Sequence, residues 1–266
     1  MERGVRMKGR PTIDQKMSVG SHLRELRRRL TIAAASIVVG GIVGFILADP
    51  IFQMLGAPIV HTGAVEGRVT GLNFTAVTQA FDLKLQIAVT VGIVIASPVW
   101  LYQIWAFFVP GLVRHERRYA LAFLSAAIPL FLAGCAAGWL VLPHIVEMML
   151  GFTTANSAAL LDARAYYDFV LKLLVATGVA FVVPVFLVVL NFAGVVSAIG
   201  ILKGWRTAIL LIIVFSAFAT PAADVMSMFL LALPMVALYF GSVGVAYIHD
   251  RRVAKVLDLD AIPAGA

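Results

Sequence analysis

From Leu30 to Ala48 the chain carries no charged residue, and runs of the same kind recur almost to its end. A helix needs ~20 mostly apolar residues to cross ~30 Å of hydrocarbon. Leu85 to Phe108, Tyr119 to Leu142 and Phe169 to Val196 all meet that length, with Lys172 the single charge among them. The remaining apolar stretch divides at Thr220, Pro221 and Asp224 into Thr207 to Ala219 and Val225 to Ile248. The first of these is short, so it is predicted to extend into its flanks or to sit where the bilayer is thin. Composition agrees: 61% of the residues are hydrophobic and 13% charged, against ~25% charged in a soluble domain. One core built from 266 residues cannot enclose that much apolar surface, so lipid must cover much of it. The predicted fold is an all-α polytopic membrane protein with six transmembrane helices, formed by residues 1–266 as a single membrane domain.

Short basic loops stay in the cytoplasm. Arg24, Arg27, Arg28 and Arg29 close a basic segment ahead of the first run; Arg114, Arg117 and Arg118 follow the second, Lys203 and Arg206 the fourth, and Arg251, Arg252 and Lys255 the sixth. The alternate loops hold Arg68 and Arg164, with Lys84 and Lys172 close to run ends. Both termini are therefore expected inside. The first run is longer than the ~7–15 residues of a signal-peptide core and no small-residue cleavage site follows it, so it reads as an anchor. Residues 1–17 are polar and expected to be a disordered extension, Met17 offers an alternative start to Met1, and residues 253–266 are read as a cytoplasmic tail. Two long outer loops are expected, Asp49 to Gln79 and Pro143 to Asp168, the first with a short amphipathic helix around Ile51 to Leu55 lying on the leaflet.

Reactive chemistry is scarce. Cys135 is the one cysteine, so no intramolecular disulfide or thiolate cluster exists. His22, His61, His115, His144 and His249 never fall at ligand spacing, and no nucleophile with its base is apparent; neither an enzyme nor a metal or other cofactor is expected. The net charge of +7 follows topology rather than forming a nucleic-acid patch. Asp82, Lys84 and Lys172 read as interfacial anchors. Pro98, Pro129, Pro184 and Pro234 would kink their spans. Gly134 and Gly138 would permit close helix contact, although small residues are common in spans. A small-molecule secondary transporter is the alternative, but its internal repeat and midplane polar residues are not visible.

The cytoplasmic face is richer. His22-Leu23-Arg24-Glu25-Leu26-Arg27-Arg28-Arg29-Leu30 reads as a helix entering the first span, with Glu25 and Arg29 placed to form an i,i+4 pair. An aromatic block runs from Ser97 and Pro98 through Tyr102, Gln103, Trp105, Phe107, Pro110 and Gly111 to Leu112, and His115-Glu116-Arg117-Arg118 follows it. Together with Thr220-Pro221 and Asp224, these segments resemble the TatC family, the receptor subunit of the twin-arginine protein translocase, over about Ser18 to Arg252.

That resemblance implies a glove-like, concave bundle in the cell inner (cytoplasmic) membrane. Its cytoplasmic face would bind signal peptides bearing two consecutive arginines. It would work with TatA and TatB-type single-span subunits, as a homo-oligomer within a larger complex, to pass folded cargo outward on the proton-motive force. Glu25 and Glu116 match the family's signal-recognition glutamates and are expected close together, with Gln103, Trp105 and Phe107 shaping the peptide site. His22, Arg27, Pro98, Pro110, Arg117 and Arg118 support the cytoplasmic loops, and Thr220, Pro221, Asp224 and Ser227 fall where partner contacts gather. Three departures from the family pattern stand out. Met228 and Phe240 occupy commonly polar positions, one extra residue separates Pro221 from Asp224, and Val182 replaces a glutamate. Val182 is expected to point into the concavity beside Pro184.

Overall fold

The computed structural model describes residues 19–65, 70–108, 117–151, 159–192, 194–220 and 225–260. Within hydrocarbon every backbone N–H needs a partner in its own chain, so the apolar runs are helical. The elements are α1 (Val19–Ile46), α2 (Ala48–Val65), β1 (Thr70–Asn73), α3 (Gln79–Ile95), α4 (Ser97–Phe108), α5 (Arg117–Gly151), β2 (Ala159–Asp162), α6 (Ala163–Phe192), α7 (Ala198–Lys203), α8 (Trp205–Ala219) and α9 (Val225–Asp260). Four helices, α1, α5, α6 and α9, are long and apolar enough to cross a membrane; α3 and α4 make a fifth span if the bent pair counts as one. At 15 residues, α8 reaches about 22 Å, short of the full hydrocarbon thickness. Only 11% of the apolar window of α1 is buried, and Val38, Val39, Ile42 and Ile46 are each more than 60% exposed. An apolar face of that extent is stable against lipid, not water.

The Leu85 to Phe108 run is not one straight helix. It bends by 58° between α3 and α4, because Pro98 has no N–H to continue the ladder and its ring collides with the preceding turn. Ala96 ends α3 by donating to Gly92 O at 2.9 Å, and the Trp100 indole N–H donates to Ile93 O at 2.9 Å, satisfying a carbonyl at the break.

Glycines set the two closest helix crossings. A Cβ at Gly40 of α1 would lie 2.7 Å from Gly92 O of α3, and one at Gly44 would collide with Ala88 O. In α5, a Cβ at Gly134 would lie 2.6 Å from Thr177 O and one at Gly138 2.7 Å from Thr177 Oγ1. The Gly134–Gly138 spacing is thus a packing device of α5 against α6, as its spacing permits, and the Gly40–Gly44 pair is a second one that the sequence reading did not single out.

Two additions lie at the end of the molecule where α1 finishes. The helix anticipated near Ile51 to Leu55 runs on to Val65. It does not simply lie on the leaflet: Leu55 and Ile59 are buried with Leu83, Ile87, Leu142 and Tyr167. The Tyr166 and Tyr167 hydroxyls donate to Leu55 O and Phe52 O, each at 2.8 Å, just ahead of Pro58 within the helix. The second addition is a parallel strand pair, with Thr70 opposite Ala159 and Asn73 opposite Asp162, which ties together the two long loops. The residues read as interfacial anchors are ion-paired here, Lys84 and Asp82 across elements and Lys172 within α6. Lys84 bridges to Asp49 at 2.9 Å, Arg164 approaches Asp82 at 3.8 Å and Lys172 meets Asp168 at 2.6 Å, while Gln86 Nε2 donates to Asp168 Oδ1 at 2.8 Å.

The opposite end carries Val19 and Asp260. Asp250 of α9 accepts from Asn191 Nδ2 at 2.9 Å and from the backbone N–H of Ala198 at 2.8 Å, and Tyr239 donates to Ile201 O at 2.6 Å. These bonds fix the α6–α7 turn, where Gly194 takes a φ of 72°, onto α9. The stretch read as a tail from residue 253 continues α9 as helix to Asp260. Residues 1–17 lie outside the described residues.

Candidate functional site

The residues singled out for signal recognition sit on α1 and α4. Because α3 runs antiparallel to α1 through Gly92 and Gly40, its continuation α4 packs against α1 towards the Glu25 end. Glu25 lies on the first turns of α1, half-buried, its side chain 26% exposed. Its Oε1 accepts both Nε of Arg29, at 3.1 Å, and Nη2, at 2.5 Å. Both bonds fall on one oxygen, Oε1. Arg24, Arg27 and Arg28 are exposed on a neighbouring face of the helix. Arg27 contributes through its backbone, accepting from Thr31 Oγ1 at 2.7 Å. His22 lies in the first turn of α1.

On α4 the aromatic block separates into two faces. Leu101 and Trp105 are buried, at 4% and 3% exposure, among Ala127, Phe131 and Val189, and Trp100 meets Phe131 edge-on with centroids 5.3 Å apart. Trp105 is therefore a core anchor that positions α4, while Gln103 and Phe107 are half-buried and Tyr102 and Ile104 exposed. The buried Ser97, Leu101 and Trp105 recur every fourth residue, but Pro98 and Tyr102, one position further along the same stripe, are exposed, so periodicity alone does not single out Trp105. Pro98 is exposed at the start of α4. Arg117 and Arg118 open α5. Pro110 and Glu116 fall outside the described residues, so the expected closeness of Glu25 and Glu116 falls outside them too.

The polar residues assigned to partner contact are turned inward. Thr220 is 6% exposed and its hydroxyl donates to Ser216 O at 3.0 Å; Ser227 is fully buried. Pro221 and Asp224 are outside the described residues. Among the described residues near the α8–α9 turn, apolar side chains are the exposed ones, with Phe218 88%, Met226 62% and Phe229 56% exposed. Val182 is half-buried against the Leu101, Trp105 and Phe131 cluster, whereas its neighbour Val183 is 53% exposed. Phe240 is 42% exposed and stacks edge-on with Tyr239, and Met228 is half-buried. Among the described residues no three His, Cys, Asp or Glu side chains gather as a metal site requires.

The family described as Sec-independent protein translocase protein (TatC) matches residues 21–234, a span that takes in α1, the bent α3–α4 pair and the α8–α9 turn. The chain belongs to the TatC family. It is 44% identical over 241 residues to the Sec-independent protein translocase protein TatC of Xylanimonas cellulosilytica, covering 91% of this chain and 87% of the relative. The TatC protein of Rothia mucilaginosa is 38% identical over 240 residues, covering 90% and 82%. Among solved structures, a crystal structure of the twin arginine translocase receptor TatC superposes with a TM-score of 0.72 at 35% identity, covering 85% of this chain and 98% of that one. The same receptor in DDM gives 0.73. The TatC chain is thus a multi-pass membrane protein of a protein translocase, a transport component and not an enzyme.

Proposed function

We propose that this chain is the receptor subunit of a twin-arginine translocase in the cytoplasmic membrane. In this reading it has six spans, α3–α4 counting as one and the short α8 as another, and both termini are inside. Residues 1–17 and 253–266 extend from a single, glove-like membrane domain. The observation that carries the reading is the half-buried Glu25 carboxylate, placed where α4 packs on α1 and held by Arg29. A carboxylate accepts a guanidinium through two parallel bonds, a geometry lysine cannot offer. Glu116, supported by Arg117, Arg118 and Pro110, would supply the second carboxylate, one for each arginine of the signal. Gln103 and Phe107 would line the peptide's path, and Trp105 would hold α4 in register beneath it.

The chain would deliver folded cargo with single-span TatA and TatB-type partners, as copies within a larger complex driven by the proton-motive force. Because Thr220 and Ser227 face inward, their part is to shape the α8–α9 turn, and the exposed Phe218, Met226 and Phe229 would meet a partner helix by packing.

Binding of a twin-arginine peptide to the purified full chain tests the reading. Glu25→Ala or Glu116→Ala should each weaken binding by about 1.5–3 kcal/mol, the worth of a charge-assisted bond, and the double variant should nearly abolish it. A peptide with two lysines should lose affinity on the unaltered protein. Equal binding of both peptides, or an unaffected double variant, would sink the proposal.

A further inference from the structure

Between α6 and α8 lies an open groove of about 810 Å³. Val179, Val183 and Leu187 form one wall and Ala208, Leu211 and Phe215 the other. Met235 and Tyr239 of α9 lie between them, and the tyrosine hydroxyl is turned away to Ile201 O. Among the described residues no charged side chain lines the groove. Its α8 wall runs from Gly204, the residue that precedes the helix, to Phe215, about 16 Å at ~1.5 Å per residue, a length that extended hydrocarbon chains can follow.

Near the Ala176 end Lys172 is paired with Asp168; the other end is basic. There the lining ends at Gly200, Ile201 and Gly204, and Lys203, Trp205 and Arg206 are exposed, with the Arg206 guanidinium 5.6 Å from the Trp205 ring. Among the described residues no ion pair involves either base. Asp250, the carboxylate that α9 brings to this end, is already engaged by Asn191 and the Ala198 N–H. An exposed tryptophan and two unneutralised bases at the mouth of an apolar groove match a lipid headgroup region, where aromatic rings sit at the boundary and bases attract anionic lipid.

We propose that this groove holds the acyl chains of an anionic phospholipid whose phosphate sits between Lys203 and Arg206. The lipid joins α8 to α6, two helices whose direct contacts are sparse compared with those each makes to α9. The assignment is independent of signal recognition and needs only that α6 and α8 lie in the membrane.

Native mass spectrometry of the detergent-solubilised full chain, supplied with phosphatidylglycerol or phosphatidylcholine of matched chains, tests it. The unaltered protein should retain phosphatidylglycerol about tenfold more than phosphatidylcholine. Lys203→Gln with Arg206→Gln should remove that preference, and Lys203→Arg with Arg206→Lys should keep it. Ala208→Trp, which fills the groove, should lower retention of both lipids; should that variant misfold, the charge variants decide alone. Equal retention of the two lipids overturns the proposal, as does an equal loss of preference in Arg251→Gln with Arg252→Gln, which would mean diffuse surface charge. Cross-linking of Ala208→Cys to a partner's spanning helix in native membranes, in place of bound lipid, overturns it too.

Discussion

Two arginines compete for Glu25, one its own and one proposed to arrive on a signal peptide. Arg29 holds Oε1 through both Nε and Nη2, but an i,i+4 pair near solvent is worth only ~0.3–0.5 kcal/mol. A charge-assisted bond from an incoming guanidinium is worth ~1.5–3 kcal/mol, so the newcomer either takes Oε2 or displaces Arg29. The internal pair then keeps an empty receptor's carboxylate neutralised and oriented without blocking it. Removing the competitor by Arg29→Gln should tighten peptide binding by about 2-fold, read by calorimetric titration. Weaker binding would mean that Arg29 orients the carboxylate more than it competes for it. The i,i+4 spacing made this pair legible in the sequence. What spacing did not reveal is that Trp105 belongs to the core at 3% exposure, since Trp100, Leu101, Ile104 and Phe107 around it in the aromatic block are equally apolar.

Helix on helix, contact between backbones matters more than side-chain identity. At the α5–α6 crossing a Gly134 Cβ would meet the Thr177 carbonyl oxygen at 2.6 Å, and a backbone atom cannot swing aside as a side-chain tip can. Gly134→Leu should therefore cost more than the ~1–3 kcal/mol of ordinary overpacking and lower the thermal unfolding midpoint of the detergent-solubilised protein. Gly241, with nothing within 4 Å of its added Cβ, is the control, and Gly241→Ala should change stability by less than about 1 kcal/mol. Similar losses in both would show that crowding at α5–α6 is relieved by helix movement. The helices themselves were legible because lipid leaves the backbone no other option. The 58° bend was less so: Pro98 marked a kink, but its sharpness depends on Ala96 capping α3 and Trp100 reaching Ile93 O. Strands of four residues with no alternating pattern, such as β2, Ala-Leu-Leu-Asp, give no signal apart from their partner.

For the whole molecule, the proposed orientation rests on where the bases fall, and it is open to direct measurement. In a Cys135→Ala background, Gly63→Cys and Asn156→Cys should react with an impermeant thiol reagent in intact cells. Arg114→Cys and Lys203→Cys should react only after the membrane is opened. The reverse pattern would invert the receptor and remove the cytoplasmic recognition face with it. The parallel pairing of Thr70–Asn73 with Ala159–Asp162 bears on how such an arrangement is reached. Parallel strands cannot be joined by a tight turn, and here α3, α4 and α5 lie between them. During synthesis from the amino end, β1 emerges first and waits unpaired until each intervening helix has been threaded and β2 has returned to the same side. The strand pair is in this sense a receipt for correct insertion. A chain that leaves α5 on the wrong side cannot close it, and its strand edge then stays unpaired.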